Sequence, residues 1–359
     1  MKQAFRPHRR IAVALAAATL SLAAGSAGAQ GFEAKISGHL NRMIMQVDDG
    51  TDSELFHADN VNSQTRLRFT GTKEVQPGLT AGINWEVGYT SNPSNALSMT
   101  NRSVAATFNE RHVDVFLSGG WGRLSMGQGD GAANGAMEVD LSGTAVVQYS
   151  GIADIGGGFA FRNGAAFGPT IAQTIDNLDF ESRYERLRYD TPKFGPLSVA
   201  ASYGTKGNNN VYELAGWLAG ETGIGKVAAG LGWSREKIGG AAGDEDIFGG
   251  SASWLHGSGL NLTLGFASSE DDTPGRATRN FSYVKVGYAS GRHAVALDYG
   301  RGEDIGANGD EADVIGIGYV YTPQKWIELY AGVKQHSLDR PGTGFDDISF
   351  AMAGTRIKF

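Results

Sequence analysis

Acidic side chains gather in one stretch of this chain. Within GDGAANGAMEVDLSGTAVVQYSGIADIGGGFAFRNG (129–164) stand Asp130, Glu138, Asp140 and Asp154. Basic side chains come in alternating pairs, Arg66 and Arg68 in TRLRFTGTK (65–73), Arg186 and Arg188 in RLRYDTPKFG (186–195). Carboxylates and guanidiniums can act on a solute without making or breaking a bond. Held apart across a narrow layer of water, they impose a field and select for charge. The groups that would make bonds are poorly arranged. The chain has no Cys, which excludes thiolate nucleophiles and thiolate metal sites. Its seven His residues are scattered, with no HExxH, and no Gly-x-Ser-x-Gly elbow presents a serine. GGAAGDEDIFGG (239–250) has the composition of a calcium-binding repeat but occurs once, and it reads as a loop. No metal or cofactor is expected.

The elements that carry these residues read as strands. After the first thirty residues the chain shows alternation rather than helical spacing. In LTAGINWEVGY (79–89), Leu79, Ala81, Ile83, Trp85, Val87 and Tyr89 share one face, with Thr80, Asn84 and Glu86 opposite. In ADVIGIGYVY (312–321), Ile315, Ile317, Tyr319 and Tyr321 oppose Gly316 and Gly318. TRLRFTGTK (65–73), HVDVFLS (112–118) and WIELYAGVKQH (326–336) alternate as clearly. Eleven further segments fit the pattern: 34–46, 122–129, 184–190, 197–205, 211–219, 225–235, 246–256, 260–269, 281–289, 292–300 and 347–359. Sixteen strands result, an even number that suits an antiparallel barrel with both termini at one end. Connections alternate between tight turns, such as GGWG (119–122) and TPQK (322–325), and long polar ones, at 48–64, 91–110 and 302–311.

The end of the chain shows which solvent this barrel meets. In MAGTRIKF (352–359), Ala353, Thr355, Ile357 and Phe359 fall on one face, Gly354, Arg356 and Lys358 on the other. Such a strand needs an apolar medium on one side and water on the other. In lipid every backbone group must be paired within the protein, so a closed barrel is the solution for strands. Outward aromatics near segment ends, including Tyr89, Tyr321 and Phe359, suit the two membrane interfaces. The N-terminus agrees. Lys2, Arg6, Arg9 and Arg10 precede the apolar IAVALAAATLSLAAG (11–25) and the small-residue site AGA (27–29), the layout of a cleaved signal peptide covering 1–29. Residues 30–359 then form a single domain. Of 31 Lys and Arg, 27 remain after cleavage against 38 Asp and Glu, a formal charge of −11. That balance argues against nucleic-acid binding. With 53 Gly and 9 Pro, and aromatics near a tenth of residues, the chain is neither a helical nor a disordered one.

RLRYDTPKFG (186–195), SGHLNRMIM (37–45), RHVDVFLSGGWGRLSMGQ (111–128) and the terminal Phe359 together resemble the general diffusion porins of Gram-negative outer membranes. The resemblance implies a 16-stranded, trimeric transmembrane β-barrel with short periplasmic turns, long extracellular loops and a third loop folded into the pore. It implies a water-filled channel for passive diffusion of ions and small hydrophilic solutes, and no enzyme. It places Glu138, Asp140 and Asp154 on the acidic loop, and Arg66, Arg68, Arg186 and Arg188 on the basic wall. Arg42 matches a wall position too, although alternation groups it with Leu40 and Ile44, so a bulge would have to re-aim it or a subunit contact cover it. Phe359 would be read by the outer-membrane assembly machinery. Outer-membrane lipid and lipopolysaccharide are the implied surroundings. The fifth strand departs from the family, since LSMGQG (124–129) offers Ser125 and Gln128 where basic residues are usual. The acidic loops imply a mild cation preference. The competing readings are a substrate-specific channel for sugars or anions, with Tyr283, Trp326 and Tyr330 as lumen aromatics, and an adhesin working through its loops.

Overall fold

The computed structural model describes residues 31–240 and 243–359, so the signal segment 1–29 lies outside the described residues. The described residues form nineteen strands: β1 (Glu33–Asp48), β2 (Ser53–Asp59), β3 (Arg66–Gln76), β4 (Leu79–Thr90), β5 (Thr107–Gly119), β6 (Gly122–Asp130), β7 (Ala160–Asn163), β8 (Ala166–Thr170), β9 (Arg183–Asp190), β10 (Leu197–Lys206), β11 (Asn209–Thr222), β12 (Gly225–Gly239), β13 (Gly243–His256), β14 (Leu260–Asp271), β15 (Arg279–Ser290), β16 (His293–Glu303), β17 (Glu311–Gln324), β18 (Ile327–Asp339) and β19 (Ile348–Lys358). Strands β7 and β8 form a separate hairpin. The other seventeen make one antiparallel sheet that closes where β1 pairs with β19, from His39 opposite Lys358 to Asp48 opposite Ser349. Both β2 and β3 pair with β1, on either side of a break at 60–65, so they fill one position and the barrel has sixteen staves.

The faces sort as alternation requires. Leu40, Ile44, Leu264, Phe266, Ile315 and Ile317 are exposed on the outer surface, a face that suits an apolar surrounding. At the end holding the termini, Trp121 stacks on Tyr189 with centroids 6.2 Å apart. Toward the other end Tyr89 lies 4.8 Å from Phe108. Phe359 exchanges both backbone hydrogen bonds with Gly38, at 3.0 Å each, and its ring stays exposed. Arg356 turns inward to Glu328 at 2.6 Å.

Connections at the end holding the termini are all tight: 77–78, 120–121, 191–196, 223–224, 257–259, 291–292 and 325–326. At the opposite rim, length is concentrated in 91–106 and 131–182. All three segments expected as long loops are shorter, 91–110 because β5 already begins at Thr107. Within 48–64, Phe56 and Ala58 alternate with Leu55 and His57 and form β2, and β16 and β17 close 302–311 down to 304–310. The Gly/Asp stretch is also mostly strand, since Asp244 to Gly250 belong to β13.

The interior is not uniformly wet. The loop 131–182 enters the barrel and packs against one side of its wall. Met43, Met45, Val47, Phe56 and Phe350 point inward and bury against Val147, Ile152, Ile155 and Phe159 of this loop. The Phe159 ring meets Phe56 edge-on at 5.0 Å and Phe350 at 5.6 Å. Apolar side chains on the inner face therefore mark where the loop will sit.

Candidate functional site

Water is left a slot between the loop and the wall opposite. This cavity of about 630 Å³ is lined on the wall by Arg66, Arg68, Arg111, Arg183 and Arg356, and on the loop by Glu138, Asp154, Asp176 and Asp179. A second cavity of about 590 Å³ shares Asp176, Asp179 and Phe180 with it and is bordered by Lys206, Glu245 and Arg279.

Three of the five wall cations are organised by one carboxylate. Glu86, on the lumen face of β4, has a fully buried side chain. Arg68 and Arg111 both donate to it through Nε, and Arg66 Nη1 lies 3.6 Å from its Oε1. Arg111 reaches this place through a β-bulge. Glu86 pairs with His112 and Val87 with Glu110, leaving Arg111 unpaired and turned inward. Arg183 holds Asp130 at 2.8 Å, and Arg356 is held by Glu328.

The loop carboxylates are tied into the loop. Asp179 accepts from the backbone N–H groups of Gly135, at 2.6 Å, and Met137, at 2.9 Å. Glu138 accepts from Asn177 Nδ2 at 3.2 Å and from Tyr149. Burial, then the nearby charges of Glu138 and Asp176, push the Asp154 carboxyl up to about 7. Burial raises Glu138 and Asp179 as well.

A family model described as Gram-negative porin matches residues 12–341. The chain belongs to the Gram-negative porin family. Outer membrane protein U of Vibrio parahaemolyticus serotype O3:K6 (strain RIMD 2210633) is 26% identical over 143 residues, which is 40% of this chain and 35% of that protein's length. Among solved structures, the anion-selective porin from Comamonas acidovorans superposes with a TM-score of 0.65 at 21% identity, covering 91% of this chain and all of that one (100%). OmpT of Vibrio cholerae in its trimer form gives 0.58 at 14% identity, covering 92% and 100%. At these identities the two structures establish the fold. This porin is an outer-membrane β-barrel.

The structure divides the residues expected at the porin's constriction into three groups. Arg66, Arg68, Glu138 and Asp154 meet at the slot. Three others brace the fold. Asp140 is turned to the wall, where Lys285 Nζ donates to it at 2.6 Å. Arg186 donates to Asp114 Oδ2 at 2.7 Å, to the Gly127 carbonyl at 3.0 Å and to the Asp130 carbonyl at 3.0 Å, and is buried. Arg188 donates to Asp190 and to the Gly131 carbonyl at 2.6 Å, so it fastens the root of the loop. Arg42 stands outside the lumen. Unbroken pairing of β1 with β19 keeps it on the outer face, its side chain 44% exposed, near Asp59 and the Ser91 carbonyl.

Arg111, Arg183, Arg356, Asp176 and Asp179 line the slot without having been singled out as constriction residues. Strict alternation puts Arg111 outside with Val113, and the bulge is foreshadowed only by the break in alternation at four consecutive polar residues, Asn109 to His112, ahead of an alternating run. Arg356 was already on the watery face of its strand. Strand β6, the fifth in the sequence reading, also carries an inward cation, Arg123, which donates to Ser125 Oγ at 3.0 Å and stacks over Phe116, while Gln128 falls on the outer parity. Tyr283 and Tyr330 do face inward but bury against loop and wall, and Trp326 is exposed in the tight turn 325–326, so they form no aromatic track.

Proposed function

We propose that this porin is a water-filled channel through which ions and small hydrophilic solutes diffuse passively, gauged by the slot between loop 131–182 and the arginine wall. The observation that carries this reading is the apposition of five guanidiniums and four carboxyls across one cavity in a closed barrel. Opposed charges order water across a narrow passage and hinder apolar solutes, which cannot replace that order. It is read as a conduit and not as an enzyme, since the slot arginines are held by Glu86, Asp130 and Glu328 and the carboxyls of Asp179 and Glu138 by donors of the loop itself. No cofactor enters this reading.

A narrower reading is anion preference, in place of the cation preference expected from the acidic loops. It is favoured by Glu86, whose buried charge lies behind the arginines and leaves guanidiniums as the groups a solute meets; Arg68 is 42% exposed and Glu86 is not exposed. One solved relative is itself described as anion-selective. The test is a reversal potential across a planar bilayer under a potassium chloride gradient, at pH 6 to 8. Anion preference that falls on replacing Arg66 and Arg111 with Gln supports the reading. Cation preference in the unaltered protein overturns it and leaves general diffusion standing.

The porin is further read as a homotrimer, like the trimer form of OmpT. A half-exposed guanidinium at Arg42 would be costly against lipid and is better covered by protein. Outer-membrane lipid and lipopolysaccharide would cover the rest of the outer face. Phe359, exposed at the end of β19, is read as the assembly signal, and a chain lacking it is expected to reach the outer membrane in reduced yield.

A further inference from the structure

The slot residues touch the solute, but what holds the loop at its distance from the wall lies on the loop's other side. Lys285, on β15, has a completely buried side chain. Its ammonium group donates to Asp140 Oδ2 at 2.6 Å, to the Gln148 carbonyl at 3.0 Å and to Thr144 Oγ1 at 3.5 Å. All three acceptors belong to the loop. Beside it Asp298, on β16, accepts from Gln148 Nε2 at 2.8 Å and from Tyr283 Oη at 3.0 Å. The wall beneath is floored with glycine on its inward positions. A Cβ at Gly318 would come within 2.8 Å of the Gln148 side chain, and one at Gly332 within 3.0 Å of Val147 Cγ2.

The two features act differently. Glycine lets the loop lie against the strand backbone but gives it no unique place to stop. An ammonium group taken out of water is costly unless its protons are all met. That penalty rises with any displacement of residues 140–148, so the charge sets position where the floor sets depth. The same stretch shows its other side to the solute, for Ala145 and Val146 line the slot, as does the adjoining Tyr149.

We propose that Lys285 is the positioning residue of the constriction: its ammonium group, set in a glycine floor, fixes residues 140–148 and thereby the width of the slot. The proposal rests on reading the loop as the constriction. Lys285 touches no permeating solute and acts through Asp140, Thr144 and Gln148.

The experiment compares Lys285→Met, Lys285→Met with Asp140→Leu, and Glu138→Gln in the full mature chain, by planar-bilayer recording and by liposome swelling with neutral sugars of increasing size. Lys285→Met alone strands the Asp140 charge. The expected result is a several-fold rise in open-channel current noise and entry of larger sugars, with noise falling back in the double variant, where both charges are gone. If Lys285→Met is as quiet and as narrow as the unaltered protein while Glu138→Gln moves the reversal potential, the positioning role is overturned and the constriction reading survives. If neither changes anything, the constriction reading fails and takes the proposal with it. Should Lys285→Met not fold, Gly318→Leu supplies the second arm. It lifts the loop off its floor, so conductance is expected to drop, and unchanged conductance in a folded barrel overturns the proposal.

Discussion

The two sides of the lumen wall solve opposite problems. The side built by β3, β4, β5 and β9 carries Arg66, Arg68, Arg111 and Arg183 and stays in contact with water. The side built by β12 and β15 to β18 carries glycine at the inward positions Gly230, Gly232, Gly316, Gly318 and Gly332, and the loop lies directly on it. On the wet side a single buried carboxylate, Glu86, binds three guanidiniums, and their remaining charge is hydrated. On the dry side the charges of Lys285, Asp140 and Asp298 are spent on holding protein to protein. An inner-face residue in this barrel thus has one of two tasks, to face a solute or to yield room to the loop. Arg186 shows that charge alone does not tell which, because it is a cation consumed by the wall.

The largest effect that would sharpen this contrast is on Glu86. Replacing it with Gln leaves three guanidiniums without their buried counter-charge, and removing one partner of a buried ionic group costs about 3–5 kcal/mol. Urea unfolding of the detergent-refolded barrel is expected to show a loss of that order, larger than for any single arginine of the cluster. A stability equal to that of the unaltered protein would mean the wet side does not depend on its buried acid.

A smaller effect is expected on the dry side. A Cβ at Gly230 would stand 2.9 Å from the Ala136 Cα and 2.8 Å from the Trp217 ring, so Gly230→Ala must move the loop. Overpacking of this kind costs about 1–3 kcal/mol. Conductance should fall along with stability, which separates a displaced constriction from a merely weakened barrel.

The smallest effect is one of pH. With its carboxyl raised to about 7, Asp154 takes up a proton as pH falls from 8 to 6, and the slot loses a negative charge. Selectivity should move toward anions over that interval, and Asp154→Asn should flatten the response. The stability sign follows from the same direction. The folded state holds this proton more tightly than the unfolded chain, so the contribution is present at acidic pH and is lost as pH rises through about 7. A reversal potential independent of pH in the unaltered protein would show that Asp154 does not face the passage.

Much of the architecture was legible in the chain because period-two alternation is local. Each of the sixteen candidate segments overlaps one stave, and the sidedness of Val113, Val115, Ile315, Ile317, Ile327 and Leu329 follows from parity. Parity likewise put Arg66 and Arg68 on the lumen face, as it did Arg186 and Arg188, and only the family resemblance spoke for a constriction. Asp140 and Glu138 differ by two residues and looked equivalent; their fates diverge because the loop is no strand, and its contacts with β15 decide which carboxyl turns to the wall. Arg111 was hidden by its bulge. The glycines of IGIG (315–318) could be placed on the inner face, yet nothing local says that another part of the same chain will lie on them.

By itself the sequence determined that strands with one apolar and one polar flank must close into a cylinder in lipid, because each residue's side is set by its neighbours and backbone pairing permits no open edge there. The tertiary structure alone decided which inner-face charges meet water and which are consumed in holding the loop. That choice turns on contacts between residues far apart in the chain, such as Lys285 with Asp140 and Glu86 with Arg111, where burial determines whether a charge serves a solute or another residue.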